Sequence, residues 1–237
     1  MERNIKFFFA ALACGAIILL AACGNAPTPT PDILRETSAP TRRPVIIPTT
    51  PPGWTPYSRS TYQIALPDAW QEVKLSEQNL KDAIASAQEN NPPLAEQLRT
   101  LLESGQYKSL AFYAVEKSNA PILKNVSIAR LALQGTNDLE AFAKSYADAL
   151  PNVARGSRVI EVQAPLQING TNAAAFQYDV SLVNTEGALT TLRGVQYLYV
   201  LDSGDAYLVT IMGDANDAEK FLPLARQIAT SFVGVTP

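Results

Sequence analysis

The chain has 237 residues, 47% of them hydrophobic, with 19 basic and 22 acidic side chains and a formal charge of −3, so no basic face for nucleic acid is expected. It contains no histidine, which removes Ser-His and Cys-His relays and zinc or copper sites of the usual nitrogen or sulfur kind. Carboxylate pairs, Ser-Lys dyads, oxygen-only calcium sites or no chemistry at all remain.

The first segment reads as an export signal. Arg3 and Lys6 precede an apolar run from Phe7 that closes on Leu20-Ala21-Ala22-Cys23, the order of charge, apolar stretch and small residues that export requires. The run is too short for the roughly 20 apolar residues of a spanning helix, and a plain secretory cut after Ala22 would leave the large Leu20 at the −3 position. Leu20-Ala21-Ala22-Cys23 resemble the lipobox of bacterial lipoproteins. That resemblance implies removal of residues 1–22, a diacylglyceryl group on the Cys23 thiol and further acylation of its new amino terminus. Two or three acyl chains, at about 0.8 kcal/mol per buried methylene, hold a soluble domain on a bilayer durably. The expected address is the extracytoplasmic face of a membrane, periplasmic or cell-surface. Loss of Glu2, Arg3 and Lys6 leaves 17 basic and 21 acidic residues. Cys14 leaves with the signal and Cys23 is taken by lipid, so the exported part can form no disulfide and offers no thiol nucleophile.

Residues Gly24 to Pro56 hold nine of the 17 prolines and seven threonines, interrupted by Val45-Ile46-Ile47. Such a composition buries no core, so 23–56 is read as the lipidated cysteine and a semi-rigid tether. Residues 57–237 form a single domain, long enough for a sizeable core.

Within that domain Tyr62, Ile64 and Leu66 alternate as a strand, and Pro67-Asp68 suggests a hairpin turn into a second strand at Trp70. From Ser76, a plausible N-cap, the spacing of Leu80, Ala83, Ile84 and Ala87 changes to that of a helix. Asn90-Asn91-Pro92-Pro93 breaks it and opens a second helix carrying Leu94, Leu98, Leu101 and Leu102 to a stop at Gly105. The inserted helical hairpin is expected to pack on the sheet, its leucines being the alternative for a partner surface. Tyr107 to Glu116 and Asn125 to Leu133 read as strands. Asn137-Asp138 then caps a helix with Leu139, Phe142 and Tyr146 on one face, and Pro151 is expected to end it. Four strands follow, Arg158 to Val162, Thr171 to Asn184, Leu189 to Leu201 and Asp205 to Met212. Hairpin chemistry stands at Asn169-Gly170, Glu186-Gly187 and Ser203-Gly204-Asp205. In the second of these strands Phe176, Tyr178, Val180 and Leu182 suggest one buried face and Gln177, Asp179 and Ser181 a wet one. A last helix is expected after Pro223, with Leu224, Ile228 and Phe232 in its stripe.

Trp54, Tyr57, the Tyr62 to Trp70 segment, Ile168-Asn169-Gly170 with Ala173 to Tyr178, and Ile228-Ala229-Thr230-Ser231-Phe232 resemble the PsbP/Mog1 superfamily. The match is closest to uncharacterised bacterial lipoprotein members, in which a helical hairpin with an internal proline break follows the early tryptophan. The resemblance implies an α+β fold with a central antiparallel sheet sandwiched by helices. Named members are non-catalytic accessories to photosystem II or to a nuclear transport GTPase. The metal-linked and N-terminal segments of the photosystem proteins have no matching residues here, and those proteins carry no lipobox.

No GxGxxG, P-loop, GxSxG or Ser-x-x-Lys pattern occurs. Asp202 and Asp205 flank a turn as the one candidate carboxylate pair, with solvated turn residues as the plainer reading. Asp214, Asn216 and Asp217 begin like a calcium loop, but Glu219 and Ala225 stand where its glycine and closing acid belong; Asp214 reads instead as an N-cap. Asn125-Val126-Ser127 and Asn169-Gly170-Thr171 match the glycosylation sequon without reason to expect the modification. No catalytic residue, metal or cofactor is expected. The leading expectation is a non-catalytic lipoprotein that binds an envelope protein or supports an envelope complex. A small-ligand or lipid-binding lipoprotein is the alternative, with a pocket between the sheet and the helical hairpin; Trp54, Trp70, Leu94 and Leu98 are the candidate surface.

Overall fold

The computed structural model describes residues 47–131, 138–153, 156–183 and 189–235; the signal, Cys23, most of the proline-rich stretch and Glu186-Gly187 lie outside them. β1 (Trp54–Ser58) pairs antiparallel with β2 (Tyr62–Pro67), whose other edge takes the last strand, β10 (Val233–Gly234). The other strands form a seven-stranded antiparallel sheet. Its order is β3 (Trp70–Glu72), β4 (Leu110–Glu116), β5 (Asn125–Leu131), β9 (Ala206–Asp214), β8 (Leu189–Val200), β7 (Thr171–Val183) and β6 (Ser157–Ile168).

Period-two alternation gives the large sheet two apolar faces. On one, Phe112, Val126, Ile128, Tyr199, Tyr207 and Val209 pack against Ile64 and Leu66 of the small sheet and against Phe221, Ala225 and Ile228 of α4 (Ala218–Thr230). On the other, α1 (Glu77–Asn90) and α2 (Pro92–Glu103) cover the β4 end, where Leu80, Leu98 and Leu101 meet Tyr113 and Val115. α3 (Leu139–Val153) covers the far end, with Ala143, Ala147 and Leu150 against the β7–β8 region.

Side-chain caps set the helix starts where the sequence places them. Ser76 Oγ accepts the Asn79 N–H at 3.2 Å, Asn91 Oδ1 that of Leu94 at 3.2 Å, and Asp138 Oδ1 that of Ala141 at 3.0 Å, satisfying donors that a first helical turn leaves unpaired. The Asn169-Gly170 turn is also found, with φ of 51° and 80°, the positive values a two-residue hairpin demands. Asn169 Nδ2 donates to the Thr230 carbonyl at 2.6 Å and so ties that turn to the end of α4.

Five expectations need correction. Pro67-Asp68 does not make a hairpin: β2 already has β1 and β10 on its two edges, so Trp70 finds its partner in Glu116 of β4 and the turn carries the chain between sheets. Tyr107 lies in a 3₁₀ turn, Gln106–Ser109, because Gly105 at φ 70° redirects the chain and the Tyr107 ring is buried with the hairpin's leucines. Pro151 sits inside α3, two residues before its end, so the helix runs through it at the cost of one N–H bond. α4 starts five residues before Pro223, behind a short 3₁₀ turn capped by Asp214 Oδ1 on the Asn216 N–H at 2.8 Å. Its first turn is held by Phe221, whose ring lies 2.6 Å from where a Gly213 side chain would begin, and its stripe runs through Phe221, Ala225 and Ile228 rather than Leu224. Finally, on β7 Phe176, Tyr178 and Val180 are buried as expected and Ser181 is exposed, but Asp179 is 9% exposed because Arg193 and Arg158 pair with it.

Candidate functional site

The sheet face beneath the helices is not apolar throughout. Tyr113 of β4 stands opposite Ser127 of β5, Ser127 opposite Thr210 of β9, and Thr210 opposite Gln196 of β8, so register aligns four polar residues across four strands. Both ends of the row are anchored on helices. Gln97 Nε2 of α2 donates to the Tyr113 hydroxyl at 2.7 Å, and the Tyr146 hydroxyl of α3 donates to Gln196 Oε1 at 2.9 Å. Gln196 Nε2 donates in turn to Thr210 Oγ1 at 3.1 Å. Burial pushes the phenol of Tyr146 up to about 12 and that of Tyr113 higher still, so both are neutral donors at any physiological pH.

Over the middle of this row lies a groove of about 640 Å³, a volume typical of small-ligand sites. Asn125, Ser127, Thr210 and Met212 make its floor. α2 forms one wall with Ala95, Gln97 and Leu101, Leu182 and Leu192 stand on the opposite side, and Pro121 to Leu123 close one end. Asn125 is 6% exposed, and among the described residues its carboxamide has no hydrogen-bond partner. It is not sealed off either, for among the described residues the one fully buried side-chain polar atom without a partner is Ser157 Oγ. Its N–H and C=O groups therefore face the groove, where a guest can take the place of water.

The residues proposed from sequence lie elsewhere. Trp70 is buried and Trp54 half-buried against the core on the opposite face of the sheet, and neither lines the groove. Leu94 and Leu98 are buried between the helical hairpin and β4, where packing has consumed the apolar surface a partner would need. They border a second hollow of about 740 Å³ between α1, β3 and residues 117–119, which is shallower, opens broadly to solvent and is rimmed by Lys74, Asp82, Asn90 and Lys117. Of the carboxylate pair, Asp205 accepts from the Arg130 guanidinium and from Ser203 Oγ at 3.2 Å, and the Arg130 hydrogen bond holds its carboxyl below the usual range. It is an ion-pair partner rather than a proton donor. Among the described residues no group of three or more Asp, Glu, His or Cys side chains is placed to hold a metal ion.

Sequence reading missed Asn125, Ser127, Thr210 and Gln196. The available signal was a polar residue at an alternate position in strands whose neighbours are Val126, Ile128, Val195, Val209 and Ile211; only the register shows that these polar positions coincide.

No protein-family model matches the chain, and no curated protein sequence does. Among solved structures it is similar to the cyanobacterial PsbP (CyanoP) from Synechocystis sp. PCC 6803, with a TM-score of 0.50 and 11% identity over 77% of this chain and 93% of that one. Weaker likenesses are the Ran-binding protein Mog1p of Saccharomyces cerevisiae (TM-score 0.45, 12% identity, 76% and 94% covered) and LpqN, involved in cell envelope biogenesis of Mycobacterium tuberculosis (0.42, 11%, 77% and 91%). The likeness to CyanoP concerns the fold alone: the chain has an α+β, PsbP/Mog1-like architecture in which antiparallel sheets are flanked by helices.

Proposed function

We propose that this chain is a lipid-anchored, extracytoplasmic and non-catalytic binding protein that holds a guest in the groove between α2 and the centre of the large sheet. The observation that carries the binding role is Asn125, a carboxamide 6% exposed and, among the described residues, without a hydrogen-bond partner, at the floor of a concave, largely apolar site. The anchor rests on Leu20-Ala21-Ala22-Cys23 and the proline-rich tether behind them. Binding in a groove is preferred to a leucine-rich partner surface because Leu94 and Leu98 are occupied in packing. It is preferred to a carboxylate-dependent enzyme because Asp205 is bound by Arg130.

Two experiments test the two halves. Replacing Cys23→Ser is expected to move the protein from the membrane pellet to the soluble fraction and to abolish incorporation of a clickable palmitate; retention in the pellet would rule out the anchor. The uncharged fluorophore N-phenyl-1-naphthylamine is expected to brighten on entering the groove. A Ser127→Phe variant, which fills the floor, should lose that signal while melting normally. Absence of any signal with the unsubstituted chain would count against the groove as a binding site.

A further inference from the structure

The groove's chemistry narrows its guest, on the reading that the groove is the binding site. Asn125 offers two N–H donors and a carbonyl acceptor, and no described group uses them. Beside it, the Thr210 hydroxyl accepts from Gln196 and the Tyr113 hydroxyl from Gln97, which leaves each with its own proton to give. Ser127 adds a further hydroxyl to the same floor.

Charge is absent from this floor. The charged residues lining the groove are Glu96 and Arg99, and they pair with each other on α2, Arg99 donating also to Gln88 Oε1 at 2.9 Å. A carboxylate or phosphate pressed against Asn125 would give up its hydration while Arg99, the cation among the described lining residues, is already paired with Glu96, an unfavourable exchange. A neutral hydroxyl or amide head would exchange water for matched donors and acceptors at little loss. The walls beyond the polar row include Ile122 and Leu182, apolar and half-buried, and suit a chain rather than a second polar group.

We propose that the groove takes a neutral amphiphile, its amide- or hydroxyl-bearing head hydrogen-bonded to Asn125 and its apolar tail laid along Ile122 and Leu182.

The test uses the full chain with Cys23→Ser, so that no attached acyl group competes. Bound N-phenyl-1-naphthylamine is displaced with four amphiphiles of equal tail length: 1-decanoylglycerol, N-decanoylethanolamine, decanoate and decyl phosphate. The two neutral compounds are expected to displace it at concentrations at least roughly tenfold below the two anions. Asn125→Leu is expected to weaken both neutral compounds by about tenfold relative to the two anions, each measured against the fluorophore's own Kd in that variant. Equal displacement by decanoate, or an unaltered ranking in Asn125→Leu, overturns the choice of head group and leaves the groove standing as a binding site. Failure of the unsubstituted chain to take up the fluorophore overturns the groove reading itself and this inference with it. Should Asn125→Leu not fold, Asn125→Ser withdraws the amide with little change in polarity and supports the same comparison.

Discussion

Phe232→Ala is expected to lower the unfolding free energy by about 3–5 kcal/mol. The ring is fully buried where the end of α4 passes into β10. It lies 4.6 Å from the Tyr199 ring of β8, 5.6 Å from Tyr62 of β2 and 5.7 Å from Tyr207 of β9, centre to centre. Each such pair adds about 0.5–1.5 kcal/mol beyond the area buried. Three separate elements meet on this one side chain, and two neighbouring phenols are themselves held, Tyr199 on the Ala229 carbonyl at 2.7 Å and Tyr207 on Thr61 Oγ1 at 2.8 Å. The site therefore cannot collapse into the space the ring leaves, the condition under which cavity costs are largest. Urea unfolding measures the difference, with the exposed Leu189→Ala as the reference near zero. A loss under about 1 kcal/mol would contradict the packing described.

Alkali is expected to unfold the protein cooperatively. Burial raises the phenols of Tyr57, Tyr62, Tyr113, Tyr146, Tyr178, Tyr197 and Tyr199, seven of the nine tyrosines, with Tyr62 and Tyr146 pushed to about 12. The unfolded chain releases these protons near pH 10, whereas the folded chain keeps them. Between pH 10 and about 12 the native state thus binds more protons, and its stability, complete below pH 10, declines as pH rises through that window. Tyr113, Tyr178 and Tyr199 carry most of the effect; Tyr57 is partly open to water and contributes less. Tyrosinate absorbance should rise steeply and together with loss of near-ultraviolet circular dichroism. Gradual titration of most tyrosines with the fold intact would contradict the burial assigned to them.

Local chemistry was legible in the chain, and partnership between distant segments was not. Ser76, Asn91 and Asp138 announce helix starts because a cap depends on three or four consecutive residues. Asn169-Gly170 announces a hairpin for the same reason. Trp70 illustrates the opposite case: its partner, Glu116, is decided by the small sheet having already filled both edges of β2. The two prolines mislead because each costs its helix one N–H bond, while Phe221 and Ala225 on one side, and Leu150 on the other, bury enough to hold α4 and α3 through them. The candidate site was the least legible part. Asn125-Val126-Ser127 reads as a sequon in isolation, and it becomes a groove floor only when β9 and β8 bring Thr210 and Gln196 into register beside it. The tryptophans drew attention as possible ligand contacts, but their area serves the core on the far face.

The proposed anchor rests on a four-residue pattern ending at Cys23, whereas the proposed site depends on three strands meeting around Asn125. The groove is tested most directly by nuclear magnetic resonance, following backbone and side-chain signals of the Cys23→Ser chain during titration with 1-decanoylglycerol. The expected result is saturable shifts at the Asn125 carboxamide and at Leu101, Ser127, Thr210 and Met212, with the indole signals of Trp54 and Trp70 unmoved. Shifts centred on the tryptophans or on the hollow beside α1, with the Asn125 carboxamide unchanged, would contradict the assignment of the site.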